Sequence, residues 1–246
     1  MLKTMVHVGV LTVLFAAAAC SASTPSSAPS TSAADQARQA RIEAANVTCV
    51  AAAAQPAKLV TYPTKGDELG LAYTAGKGST AVVLLHQSDG GLCQFSPYAE
   101  QLAKLGLRAF VLDISQPSRV DDTIAAVAYL RKDGVTKVFV VGASMGGTTA
   151  IVASAQIQPP VDGVVSLSGP ALYDGMDAGA AAKTLTMPVL FAAGEYDGNF
   201  AADAKTMAAS CPSKHKTLTI LPTGDHGVSL LNGAMKTPVT EFLSPA

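Results

Sequence analysis

The chain has 246 residues, enough for one large domain or two small ones, with 49% hydrophobic and only 14% charged residues. That balance excludes a disordered chain, which needs the opposite composition. With 17 basic against 18 acidic residues the net charge is −1, which leaves no electrostatic footprint for nucleic acid. The absence of Trp speaks against a carbohydrate-stacking module, and four Cys are too few for a disulfide scaffold at this length.

In chain order, residues 1–19 read as an export signal. Lys3 supplies the positive start and Val6 to Ala19 the apolar stretch, which is short of the roughly 20 residues a membrane span needs. Ala17-Ala18-Ala19-Cys20 resembles a bacterial lipobox, with Ala17 where Leu is usual. On that reading Cys20 is lipidated, becomes the mature N-terminus and anchors the chain to the outer face of the cell membrane. The alternative is ordinary signal cleavage after Ala-x-Ala, and a secreted protein. The Ser, Thr, Pro and Ala stretch that follows Cys20 cannot bury a core. Residues 20–46 are therefore expected to be the anchor site and tether, and residues 47–246 the folded domain.

Export permits disulfides. Without Cys20, an odd set of Cys49, Cys93 and Cys211 remains. One bridge plus one free or buried thiol is the simplest account, and three pairings are open. Cys49 with Cys93 is the favoured pair, because it would pin the N-terminal segment to the loop beside the candidate site.

From Lys58 onward, β-branched apolar runs alternate with helical segments. Strands are expected at 81–85, 108–114, 137–141, 163–167, 188–192 and 216–221. Helices are expected at 98–105, 122–132, 146–156, 200–209 and 228–243. Sustained alternation of this kind predicts an α/β fold with a doubly wound, mostly parallel sheet and helices on both faces.

Ligands in such sheets bind beyond the carboxyl ends of the strands. After the strand ending at Val141 comes Gly142-Ala143-Ser144-Met145-Gly146, a G-x-S-x-G pattern between a strand and a helix, where a serine can stand exposed on a tight corner. A serine hydroxyl needs a base. Of the four histidines, His7 lies in the signal, His215 sits between two lysines, and His86 ends a strand upstream of the serine. His226, in Gly224-Asp225-His226-Gly227 after the last strand, is left. The carboxylate that would fix its tautomer follows the strand ending near Ala192, in Gly194-Glu195-Tyr196-Asp197-Gly198. Asp197 is better placed beyond the turn, with Glu195 as the alternative. Asp113 and Asp225 read as loop formers.

The order Ser144, Asp197, His226 resembles that of the α/β-hydrolases, over about residues 58–246. The likeness is nearest to their small, capless esterase and dienelactone-hydrolase-like branches, with serine rather than cysteine at the nucleophile. The resemblance implies an oxyanion hole built from the N–H of Met145 and one from His86-Gln87-Ser88-Asp89-Gly90-Gly91. Many members have His-Gly there. This chain has His-Gln, so Ser88 is favoured by position and Gln87 stays in play. Some 20 residues between Leu167 and Pro188 leave no room for a cap domain. An open pocket is expected, walled by loops carrying Gln94, Phe95, Leu172, Tyr173, Met176 and Phe200. No metal or cofactor motif is present, and neither is expected. The activity implied is hydrolysis of carboxylic esters or related acyl substrates by a monomer. A peptidase or thioesterase on the same residues, and a non-catalytic surface-anchored binding protein, are the alternatives.

Overall fold

The computed structural model describes residues 2, 32–45, 47–51, 54–65 and 68–243. The chain divides into two units, Met1–Ser32 and Ala33–Ala246, and the second carries everything described below. The expected export signal beyond Leu2, and Cys20, fall outside the described residues.

The tether expected through residue 46 ends earlier. Helix α1 (Ala33–Ala44) belongs to the folded unit. Its Arg38 donates to Leu59 O at 2.9 Å, Arg41 donates to Leu69 O at 3.1 Å, and Ile42 is buried. Composition misled here because Ala, Gln and Arg make a good helix without an apolar stripe. The helix docks through two guanidinium groups and one aliphatic side chain.

After the short α2 (Gln55–Lys58), strands β1 (Leu59–Pro63) and β2 (Leu69–Ala75) form an antiparallel pair at the sheet edge, which the sequence reading did not resolve. β2 then pairs antiparallel with β4 (Arg108–Leu112). The remaining strands run parallel: β3 (Thr80–Leu85), β5 (Lys137–Ala143), β6 (Gly163–Leu167), β9 (Val189–Gly194) and β10 (Lys216–Leu221). The sheet order is β1-β2-β4-β3-β5-β6-β9-β10. A two-stranded ribbon, β7 (Leu172–Tyr173) with β8 (Met176–Asp177), stands apart.

Near-continuous apolar strands are needed because both faces are covered. Val83 and Leu85 of β3 join a core with α4 (Arg119–Lys132), α5 (Met145–Ser154), α6 (Ala178–Ala182) and α7 (Phe200–Ser210). Val82 and Leu84 point the other way, into a core with α1, α3 (Ser96–Lys104), α8 (Val228–Asn232) and α9 (Lys236–Leu243). Each such fully buried side chain stabilises by about 1.5–3 kcal/mol. The same alternation repeats in β5, with Val138 and Val140 on one side and Phe139 and Val141 on the other.

The closing helix expected over 228–243 is broken into α8 and α9. Gly233 caps α8, its N–H donating to Ser229 O and Leu230 O, and Pro238 near the start of α9 cannot continue a helix through the break. Between β6 and β9 the chain forms only the β7–β8 ribbon and the five-residue α6, so no cap covers the strand ends.

Candidate active site

The chain leaves β3 for β4 on one side and returns to β5 on the other, so the strand order reverses between β3 and β5. That reversal opens a crevice at their carboxyl ends. Ser144 stands there as the residue between β5 and α5, with φ 51° and ψ −118°, in a region that side chains rarely adopt. The corner is tight enough to dictate its glycines. A Cβ at Gly142 would lie 1.9 Å from Gly146 O, and one at Gly146 would lie 2.1 Å from Leu85 O. Ser144 N donates to Leu167 O at 2.8 Å, which ties the corner to β6.

His226 follows β10, and its Nδ1 lies 2.8 Å from Asp197 Oδ2 and 3.1 Å from Oδ1. Asp197 is the acid that meets the imidazole; Glu195 is exposed. The Phe200 ring packs on the imidazole with centroids 4.5 Å apart. No hydrogen bond joins Ser144 Oγ to His226 among the described residues. Their backbones nevertheless converge: a Cβ on Gly227, next to His226, would lie 3.2 Å from Ala143 Cβ, next to Ser144. In ligand-free sites of this kind the nucleophile–base bond is commonly loose and closes on substrate.

Two of the N–H groups expected to stabilise an oxyanion have no hydrogen-bond acceptor among the described residues. Met145 opens α5, where the first N–H groups have no intrahelical acceptor. Ser88 lies in an exposed turn after β3, and its N–H donates to no described residue. Gln87 differs. Its N–H is taken by Gln94 Oε1 at 2.9 Å, while its own Oε1 accepts Val228 N at 2.7 Å. Gln87 is thus a strap between the β3 loop and the His226 loop, and its N–H is already spent.

His86 is buried at the root of this loop. Its Nε2 accepts the Ile114 N–H at 3.1 Å, so Nδ1 carries the proton it shares with Gln87 O at 2.6 Å. Asp113 lies behind it, held by Ser115 Oγ at 2.5 Å and Arg41 at 2.6 Å. Burial pushes the Asp113 carboxyl up. The Ser115 hydroxyl and the Arg41 guanidinium that donate to it outweigh that and hold it well below the usual carboxylate range.

The expected pocket walls divide. Phe200 lies against His226. Leu172 is exposed, and Tyr173 is half-buried with the Arg119 guanidinium 6.0 Å from its ring centre. Met176 is buried against Thr149 of α5. Phe95 is no wall: it is fully buried in the core with Leu59, Leu102 and Val111. Gln94 faces the Gln87 backbone. Both corrections have one cause. The 3-10 turn at Leu92–Phe95 tucks inward, and a disulfide joins its Cys93 to Cys49, the favoured pair. Cys211 is free and buried.

The sequence reading passed over Ser168. It follows β6, is fully buried, has φ 50°, and donates to Asp197 Oδ2 at 2.8 Å while accepting Gly227 N–H at 3.1 Å. The signal was available: Leu167-Ser168-Gly169-Pro170 places a polar residue directly after a buried strand, as with the other site residues.

Residues 111–227 match the model of the dienelactone hydrolase family. No curated protein matches the chain. Among solved structures it resembles a dienelactone hydrolase of Anabaena variabilis, at 23% identity and a TM-score of 0.61, covering 75% of this chain and 94% of that one. An esterase of Pyrococcus furiosus matches at 17% identity and a TM-score of 0.63, covering 76% and 88%. A monoacylglycerol lipase of Paleococcus ferrophilus matches at 15% identity and a TM-score of 0.60, covering 71% and 98%. At these identities the fold is what is shared.

Proposed function

From a chain with the α/β-hydrolase fold, whose residues 111–227 match the dienelactone hydrolase family, we propose an exported serine hydrolase that cleaves carboxylic esters or related acyl substrates through an acyl-enzyme. The observation that carries this is the pairing of a strained serine at the end of β5 with an imidazole whose Nδ1 is fixed by a carboxylate.

Ser144 Oγ attacks the acyl carbon as His226 Nε2 takes its proton. The negative charge gathers on the former carbonyl oxygen, which the N–H groups of Met145 and Ser88 receive. Asp197 holds Nδ1–H, fixing the tautomer and stabilising the imidazolium. Collapse expels the alcohol, which leaves with the proton from Nε2. Water then attacks the acyl-enzyme, giving its proton to His226, and the second collapse returns that proton to Ser144 Oγ and frees the acid. A crevice without a cap suits acyl groups presented at a surface, consistent with the lipid anchor at Cys20 and a monomer.

Intact-mass measurement after fluorophosphonate treatment tests this. Wild type should gain one covalent adduct, and Ser144→Ala none. A folded wild-type protein that stays unmodified would overturn the reading.

A further inference from the structure

Ser168 is the buried hydroxyl in this site that the mechanism above does not use. We propose that it is a positioning residue, holding Asp197 and the His226 loop in register through one side chain; the inference rests on the hydrolase reading above.

Three observations converge on it. The hydroxyl is used in both senses, as donor to Asp197 Oδ2 and as acceptor from Gly227 N. Oδ2 is also the carboxylate oxygen nearer to His226 Nδ1, 2.8 Å against 3.1 Å, so Ser168 and the imidazole grip the same atom. A carboxylate anchored there cannot swing about its own bond without losing one partner. The acceptor side fixes the residue directly after His226, whose φ of 52° leaves it only the conformations open to glycine. Rotation of the acid and drift of the base loop are thus stopped by one oxygen.

The backbone of Ser168 is itself held in an unfavourable region, φ 50°, by its N–H bond to Ala192 O at 2.7 Å. Strain of this sort persists where surroundings impose it, and here it aims the hydroxyl into the space between two loops. Gln87, from the loop after β3, grips the next N–H along, Val228 N. The His226 loop is therefore held at two consecutive amides, with Ser168 contributing the hold that also reaches the acid.

The test compares Ser168→Ala with Ser168→Gly in the intact chain, using p-nitrophenyl acetate turnover, fluorophosphonate labelling rate and thermal melting. Both variants lack the hydroxyl, but glycine relieves the positive φ. Misplacing a catalytic group by about an ångström costs on the order of 10²-fold. Both variants should lose roughly 10- to 100-fold in kcat and in labelling rate, with KM within about twofold, because the loss lies in base geometry and not in substrate binding. Ser168→Gly should melt no lower than Ser168→Ala and be no more active. The downfield proton resonance of His226 Nδ1–H should broaden in both. Recovery of kcat in Ser168→Gly, or variants within twofold of wild type, would sink the proposal while leaving the serine hydrolase reading intact. An unlabelled, inactive wild type would remove both together, and that result is distinguishable because it needs no variant.

Discussion

Ser144 shows how one residue's conformation and chemistry are bound together. Its φ of 51° puts it at the apex of a strand-to-helix corner, directly before the first residue of α5, Met145. The conformation costs on the order of 1–3 kcal/mol, which glycine would not incur. Ser144→Gly should therefore raise stability by about 1 kcal/mol, a gain of roughly 2–4 °C in Tm for a chain of this size, while abolishing ester hydrolysis. Calorimetry beside a turnover assay checks both halves. A variant that melts below wild type would show that the corner is unstrained. At this scale the places of Ser144, Asp197 and His226, and the pairing of the last two, were legible in the sequence because each follows a strand that the apolar runs announce. Ser88 and Gln87 were not separable, because the choice depends on which N–H is already engaged, and that is decided by Gln94, seven residues away.

Among the elements, α1 carries the clearest consequence. It docks on the edge of the sheet through Arg41, which reaches Asp113, and Asp113 backs the His86 loop. The pair is largely out of water, with side-chain exposures of 19% and 8%. Removing one partner of such a pair leaves an uncompensated charge, so Arg41→Met should cost about 2–4 kcal/mol near pH 7. The sign with pH follows from the depressed native pKa of Asp113. A carboxyl held low contributes stability that is fully present above its unfolded value near 4 and is lost as pH falls through the native value. The gap between wild type and Arg41→Met should shrink progressively below about pH 4, as urea melts at several pH values would show. A gap that stays unchanged as pH falls through the native value would mean that the loss comes from packing and not from the ion pair. Helix α1 and the β1–β2 edge escaped the sequence reading for related reasons. The helix buries only Ile42, and β2 mixes Gly70, Ala72 and Thr74 into its run, so neither has the dense apolar signature of the inner strands.

At the scale of the whole molecule, the parallel sheet was readable because its inner strands, covered on both faces, have no polar side to confuse the pattern, and the strand expected at 163–167 coincides with β6. The strand expected at 216–221 coincides with β10, an edge strand that is largely exposed and alternates Thr with apolar residues. The disulfide could only be favoured, since pairing depends on how the chain returns to the 3-10 turn after 44 residues. A closed loop of that length limits the unfolded chain by about 4 kcal/mol on the chain-entropy account. With Cys49 and Cys93 joined, Cys211 is the one free thiol among the described residues, 1% exposed at the end of α7, with its Sγ on Leu185 O. The protein thereby carries a silent reporter of its own opening. A thiol reagent can meet that sulfur only when α7 lifts from the sheet, so the labelling rate of the unmodified domain reads the frequency of that event directly. It should fall when an acyl-enzyme analogue occupies Ser144 if the whole domain opens as one body. A rate that ignores the adduct would mark α7 as a separate cooperative unit, able to unlatch while the crevice stays assembled.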